Sequence, residues 1–229
     1  MVRVKMCGMM NRKDLIFAET AGADAVGFVT EYPVPVPWNL SREQAAELVL
    51  AASPFLTTVA VVGGPPDRMI RIARAVKPKI LQLHGDETLN QIEEVVVGLK
   101  GTGIRVIKAL RVNVDTGKAR FDETDPVKAG EILAGSGIGA LVVDSQTSSM
   151  PAGTGVALDW DMAAKIASRI NLPVILAGGL TAGNVPAAVR KVKPYALDVI
   201  SGVEDGPGIK NPEKMEAFVR AAKGIGGRA

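Results

Sequence analysis

The 229-residue chain carries 27 Lys and Arg against 24 Asp and Glu, a formal charge of +3, with 47% hydrophobic and 22% charged residues. Such a balance supports a full core and argues against disorder, and basic residues scattered along the chain argue against a nucleic-acid partner. No run approaches the roughly 20 apolar residues of a membrane span, residues 1–7 are too short and polar for a signal peptide, and a lone cysteine cannot close an internal disulfide, so the expectation is a cytoplasmic protein with a free thiol.

In chain order, short β-branched runs are predicted as strands at 2–7, 24–29, 57–62, 80–84, 105–110, 140–144, 174–177 and 196–200. Amphipathic stretches predict helices at 13–21, 42–52, 67–75, 89–99, 160–170, 185–192 and 213–222, with a weaker one at 129–133. Ser41 with Gln44 has the form of a capping box, and Asn211-Pro212-Glu213 sets a cap residue before a first-turn proline. Strands separated by helices pair in parallel through right-handed crossovers, and eight such units close into a (β/α)₈ TIM barrel, α/β in class, spanning 1–229 as a single domain. An open doubly wound sheet is the rival, but no glycine-rich dinucleotide fingerprint follows the first strand. Two stretches break the rhythm. Pro33, Pro35 and Pro37 stiffen 32–39 into a loop that is either a connector or part of an active site, and 112–139 is polar and weakly patterned.

In a barrel the chemistry sits at the carboxyl ends of strands. Those ends present Cys7, His84, Arg111 and Asp144, then Gly178-Gly179 and Ser201-Gly202, all expected at one mouth. Glycine turns after the last two strands suit a phosphate, because bare amides and a helix N-terminus favour an anion. Gly153-Thr154-Gly155 adds amides or is only a loop. Asp144 follows an apolar run, and partial burial there raises a carboxyl pKa enough to donate a proton near neutrality. Cys7 is by default a small buried hydrophobe, and a basic role requires a nearby positive charge such as Lys5 or Arg111. His84, the sole histidine, is open to the roles of general base or structural donor. One histidine and one distant cysteine give no metal-site spacing, and a histidine-dependent serine or cysteine triad does not fit.

These stretches carry a resemblance over nearly the full length. Val4-Lys5-Met6-Cys7-Gly8, Gly22-Ala23-Asp24-Ala25-Val26-Gly27-Phe28, Gln82-Leu83-His84-Gly85-Asp86, Lys108-Ala109-Leu110-Arg111, Val143-Asp144, Ala177-Gly178-Gly179-Leu180 and Asp198-Val199-Ile200-Ser201-Gly202 resemble the phosphoribosylanthranilate isomerase family of tryptophan biosynthesis. The resemblance implies an Amadori rearrangement of N-(5-phosphoribosyl)anthranilate without metal or coenzyme. Asp144 matches the general acid and Cys7 the general base, Gly178, Gly179, Ser201 and Gly202 match the phosphate cradle, and Asp198 falls with the substrate-binding residues. It departs at Trp38, where the family usually carries an arginine for the anthranilate carboxylate, and at Val156, where a lysine often stands. Arg42, Arg111 or His84 are the candidates for substrate contact, with Trp38 stacking on the ring or merely covering the loop. The expected partner is a small phosphorylated molecule, with the chain a monomer or homodimer. The alternatives are a related barrel isomerase acting on another phosphorylated sugar and a catalytically silent phosphometabolite-binding barrel.

Overall fold

The computed structural model describes residues 1–146 and 158–224. Its strands are β1 (Arg3–Met6), β2 (Ala25–Val29), β3 (Thr57–Val62), β4 (Ile80–Leu83), β5 (Arg105–Asn113), β6 (Leu141–Gln146), β7 (Val174–Leu176) and β8 (Ala196–Val199). They alternate with α1 (Arg12–Thr20), α2 (Arg42–Ala51), α3 (Pro66–Val76), α4 (Leu89–Gly98), α5 (Pro126–Ala134), α6 (Trp160–Arg169), α7 (Val185–Val192) and α8 (Pro212–Lys223). Each strand runs parallel to its neighbours, and β1 closes the ring between β2 and β8, with Lys5 opposite both Ala25 and Asp198. The doubly wound alternative is thereby removed.

Closure follows from burial on both strand faces. The outward face of β6, Leu141 and Val143, joins the large core under the helices, while Val142 turns inward to Ile107, Ala109, Ile175 and Ala196. Helices contribute one stripe each. In α3 the buried residues Met69, Ile72, Ala73 and Val76 recur at helical spacing, and Lys77 ends the helix in the left-handed region at φ 52. Phe218 of α8 is fully buried, and truncating such a ring to alanine costs about 3–5 kcal/mol.

The expected caps form. Ser41 accepts from the Gln44 N–H while Gln44 returns a bond to the Ser41 N–H, and Asn211 accepts from the Lys214 N–H. A second capping box, Thr88 with Gln91, opens α4. Two expectations on extent need correction. β5 runs past residue 110 to Asn113, because it pairs with β6 as far as Asn113 opposite Gln146, so Arg111 lies inside the strand and not after it. The weakly patterned stretch holds a helix of nine residues, α5, which Asp125 caps by accepting from the N–H groups of Val127 and Lys128. A small hairpin follows β8: β9 (Glu204–Gly206) pairs antiparallel with β10 (Ile209–Lys210).

The proline-rich loop is tied at both ends. The Tyr32 N–H donates to Asn39 Oδ1 at 2.8 Å, Asn39 Nδ2 donates to the Tyr32 carbonyl at 2.9 Å, and Thr30 bridges to Leu40. Of this loop, Tyr32, Val36 and Trp38 line a cavity at the strand ends.

Candidate active site

The carboxyl ends of β1 and β6 bring Cys7 and Asp144 to the walls of one cavity at the barrel mouth. Beneath the thiol lies a buried ion pair, Lys5 Nζ donating to Asp198 Oδ2 at 2.6 Å. Lys5 and Cys7 are two residues apart on β1 and so face the same way. What makes room for them is Gly27 of β2: a Cβ there would lie 2.5 Å from Cys7 Sγ and 3.1 Å from Lys5 Cε. Burial works against the Lys5 charge, but Asp198 and the neighbouring Cys7 outweigh it and hold the ammonium's pKa above the ordinary lysine value. For Cys7 burial pushes the thiol up, Lys5 pulls it down, and the net direction is up. The resting sulfur is therefore protonated, with an ammonium beside it to receive a thiolate.

Asp144 sits in the opposite electrostatic situation. Burial first, and then the Asp198 carboxylate, raise its pKa to about 7, against the pull of the Ser145 N–H, Lys5 and Arg111. The Ser145 N–H donates to Asp144 Oδ1 at 2.8 Å, fixing the carboxyl plane. A carboxyl of this kind is half protonated at neutrality and can give a proton to a reacting oxygen.

His84 faces Asp144 with Nε2 3.6 Å from Oδ2, which is within ion-pair range. Burial, Arg111, Lys108 and Lys5 all drive its pKa well below the ordinary histidine value, so the ring is neutral and the contact is not an ion pair. Gln82, next inward-facing residue of β4, puts Nε2 3.3 Å from His84 Nδ1. With that amide donating, the imidazole proton sits on Nε2. Gln82 Oε1, His84 Nε2 and Asp198 Oδ1 are buried without a protein partner, and all three residues line the cavity.

On the β7–β8 side the wall is made of Gly178, Gly179, Leu180 and Ser201. Gly178 and Gly179 take φ of 86 and 61, a left-handed region that glycine adopts at least cost, and a Cβ at Gly178 would lie 2.4 Å from Ser145 Oγ. Asn184 Nδ2 donates to the Gly179 carbonyl at 2.8 Å and holds the turn. Gly202 does not line the cavity. It stands behind the wall, where a Cβ would run into the Leu180 carbonyl oxygen, so its lack of a side chain sets how closely the two turns approach.

The fourth side is apolar. Trp38 is buried with Cys7, Val29, Val59 and Val61, and Tyr32 and Val36 pack on them. Its indole N–H donates to Glu204 Oε1 at 2.8 Å, and Lys210 Nζ donates to the same oxygen at 2.8 Å. Gly8, at φ 74, passes so close beneath that a Cβ would lie 2.7 Å from the indole.

Arg42 and Arg111 are not among the residues lining the cavity. Arg42 forks onto Glu31, donating from Nε at 2.6 Å and Nη2 at 2.9 Å. Arg111 is buried and held by Asp86, which Arg120 also grips. Gly153-Thr154-Gly155 and Val156 lie outside the described residues. Four contributors escaped sequence reasoning. Gln82 was legible from its inward parity with His84, but Tyr32, Glu204 and Lys210 were not. Tyr32 donates from its hydroxyl to the His84 carbonyl 52 residues away, and Trp38 meets Glu204 across 166 residues.

A family model described as N-(5'phosphoribosyl)anthranilate (PRA) isomerase matches residues 4–221. The chain is 41% identical to the N-(5'-phosphoribosyl)anthranilate isomerase of Haloferax volcanii, over 97% of this chain and 94% of that protein. It is also 41% identical to that of Methanopyrus kandleri, over 98% and 100%. Among solved structures, phosphoribosyl anthranilate isomerase from Thermotoga maritima superposes with a TM-score of 0.81 at 32% identity, covering 98% of this chain and 100% of that one. An isomerase complexed with reduced 1-(o-carboxyphenylamino)-1-deoxyribulose 5-phosphate superposes at 0.78 with 30% identity and the same coverage.

Proposed function

Because the chain belongs to the N-(5'-phosphoribosyl)anthranilate isomerase family, we propose that it is the aldose–ketose isomerase of tryptophan biosynthesis and works by a thiolate base and a carboxylic acid set across one cavity. The substrate is N-(5'-phosphoribosyl)anthranilate, and the product is 1-(2-carboxyphenylamino)-1-deoxyribulose 5-phosphate, whose reduced form is bound by a structural relative. The observation that carries the mechanism is the pairing in that cavity of Cys7, beside the Lys5 ammonium, with Asp144, whose carboxyl titrates at about 7.

Asp144 gives its proton to the furanose ring oxygen, and the C1′–O bond breaks as the aryl nitrogen lends its lone pair to form a protonated Schiff base. The reactive form carries Cys7 as the thiolate beside the Lys5 ammonium, its proton having passed to solvent before the substrate binds, and this thiolate then removes the C2′ proton. The electron pair left behind moves to the nitrogen and yields an enolamine. The Cys7 thiol returns a proton to C1′ and the Asp144 carboxylate takes the proton of the C2′ oxygen as the ketone forms, so both groups regain their starting states and the sum is an isomerisation. Lys5 compensates the thiolate, and Asp198 holds Lys5 in place. Neutral His84 faces Asp144 with Nε2 3.6 Å from Oδ2, adding no charge beside the carboxyl group. The phosphate lies on the main chain of Gly178, Gly179 and Ser201, kept close by Gly202.

The Thermotoga maritima relative is described as dimeric, and we extend a homodimer to this chain, to be checked by sedimentation. Among the described residues no helix is long and apolar enough to cross a membrane, and we assign the enzyme to the cytoplasm with its pathway. The mechanism is tested by following loss of substrate fluorescence with Cys7→Ser and Asp144→Asn. Each variant is expected to lose on the order of 10²–10⁴-fold in kcat, the usual worth of a positioned acid or base. An undiminished rate in either removes that residue from the scheme.

A further inference from the structure

The cavity has an unusual distribution of charge for an enzyme whose proposed substrate carries an aryl carboxylate. Two carboxyl groups, Asp144 and Asp198, line it, and no lysine or arginine does so among the described residues. The segment 147–157, outside the described residues, contains neither residue type in its sequence. The cations around the mouth are each held by a carboxylate: Lys5 by Asp198, Arg42 by Glu31, Lys210 by Glu204, Arg111 by Asp86. Against this the aryl-sized part of the wall is hydrocarbon and ring, formed by Trp38, Val29, Val36, Val61 and Tyr32. An anion pressed into such a sleeve beside two carboxyl groups loses its hydration and gains no partner, whereas a flat ring gains stacking area against the indole.

The indole is fixed for that purpose. Its N–H is committed to Glu204, whose charge Lys210 neutralises, and the backbone of Gly8 supports the ring from below. Trp38 thus has a set plane before any ligand arrives, which spares the entropy of ordering it on binding.

Resting on the isomerase reading above, we infer that this chain recognises its substrate's aryl group by stacking on Trp38 and leaves the ring carboxylate unpaired at the solvent side, so that N-aryl ribosylamine 5-phosphates lacking the carboxylate are also substrates. The carboxylate takes no part in the bond changes: the proton transfers at the ring oxygen, C2′ and C1′ are the same for an aniline as for an anthranilate.

The experiment compares kcat/KM for N-(5-phosphoribosyl)anthranilate and N-(5-phosphoribosyl)aniline, each corrected for its own uncatalysed rearrangement. Removing one partner of a buried guanidinium–carboxylate pair weakens an interaction by about thirtyfold or more. Here the two substrates are expected to agree within about tenfold, and Trp38→Leu, checked by circular dichroism, is expected to lower both by the same factor. A loss beyond thirtyfold confined to the aniline substrate overturns the inference while the isomerase reading stands. Turnover of neither substrate overturns both. Should Trp38→Leu fail to fold, Trp38→Phe keeps one six-membered aromatic ring while losing the five-membered ring and its N–H. It is expected to preserve the ratio of the two rates, and a selective loss on the anthranilate substrate counts against stacking as the determinant.

Discussion

Replacing Asp144 by asparagine tests the electrostatics of the mouth without reference to substrate. In the folded chain the carboxyl titrates at about 7, against 3.8 for an unperturbed aspartate, chiefly because burial penalises its charge. A shift of about 3 units at 1.36 kcal/mol each corresponds to about 4 kcal/mol. The sign is set by which state holds the proton. Between about pH 4 and 7 the unfolded chain has released it and the folded chain retains it, so wild-type stability attributable to this group falls as pH rises and levels off above about 7. The asparagine of the variant has nothing to ionise, and its amide oxygen can still accept from the Ser145 N–H as Oδ1 does now. His84, whose pKa burial lowers, costs stability on acidification in both proteins and cancels in the difference. Urea unfolding of wild type and Asp144→Asn should therefore show the variant gaining about 3–4 kcal/mol relative to wild type between pH 4.5 and 8, even as its kcat is expected to fall. Two stability curves that stay parallel to within about 1 kcal/mol across that range would falsify the claim that a buried carboxyl titrates near neutrality.

Lys5→Met removes the ammonium beside the thiol, so alkylation of Cys7 by iodoacetamide at pH 8 should slow relative to wild type; an unchanged or faster rate means that Lys5 does not stabilise the thiolate. Gly27→Ala places a methyl group 2.5 Å from the Cys7 sulfur, and kcat should fall while the affinity for inorganic phosphate is retained. Equal losses in both would show the barrel itself to be disturbed. Gly202→Ala drives a methyl group against the Leu180 carbonyl and spreads the two turns proposed to hold the phosphate, so KM should rise on the order of tenfold with a smaller change in kcat. A KM within twofold of wild type would separate Gly202 from phosphate binding. Ser41→Ala breaks one half of the capping box at α2 and should cost about 1 kcal/mol in urea unfolding without altering the rate.

The alternation of β-branched runs and amphipathic stretches was enough to predict parallel strands joined by helices, and the pairing of β1 with β8 closed them into a barrel in place of an open sheet. Strands buried on both faces and helices buried on one leave periodicities that survive in a linear text, and the caps at Ser41 and Asn211 mark helix starts with local chemistry. Strand-end position likewise singled out Cys7, His84 and Asp144, because in this architecture the end of a strand is already a place in space. Contacts made across the barrel left no such trace. That Arg42 is engaged by Glu31, that Arg111 is held by Asp86, and that Trp38 is locked by Glu204 and Lys210 depend on side chains brought together from distant loops. The titration of Asp144 near neutrality was foreseen as a type, but its cause, burial beside Asp198 with Lys5 opposing, needed the closed ring that sets β1, β6 and β8 around one space. Sequence determined that Cys7, His84 and Asp144 reach the mouth, since that is a matter of periodicity; only the tertiary structure decided that Arg111 and Gly202 stand outside its lining and which charges are already neutralised there, since that is a matter of distance.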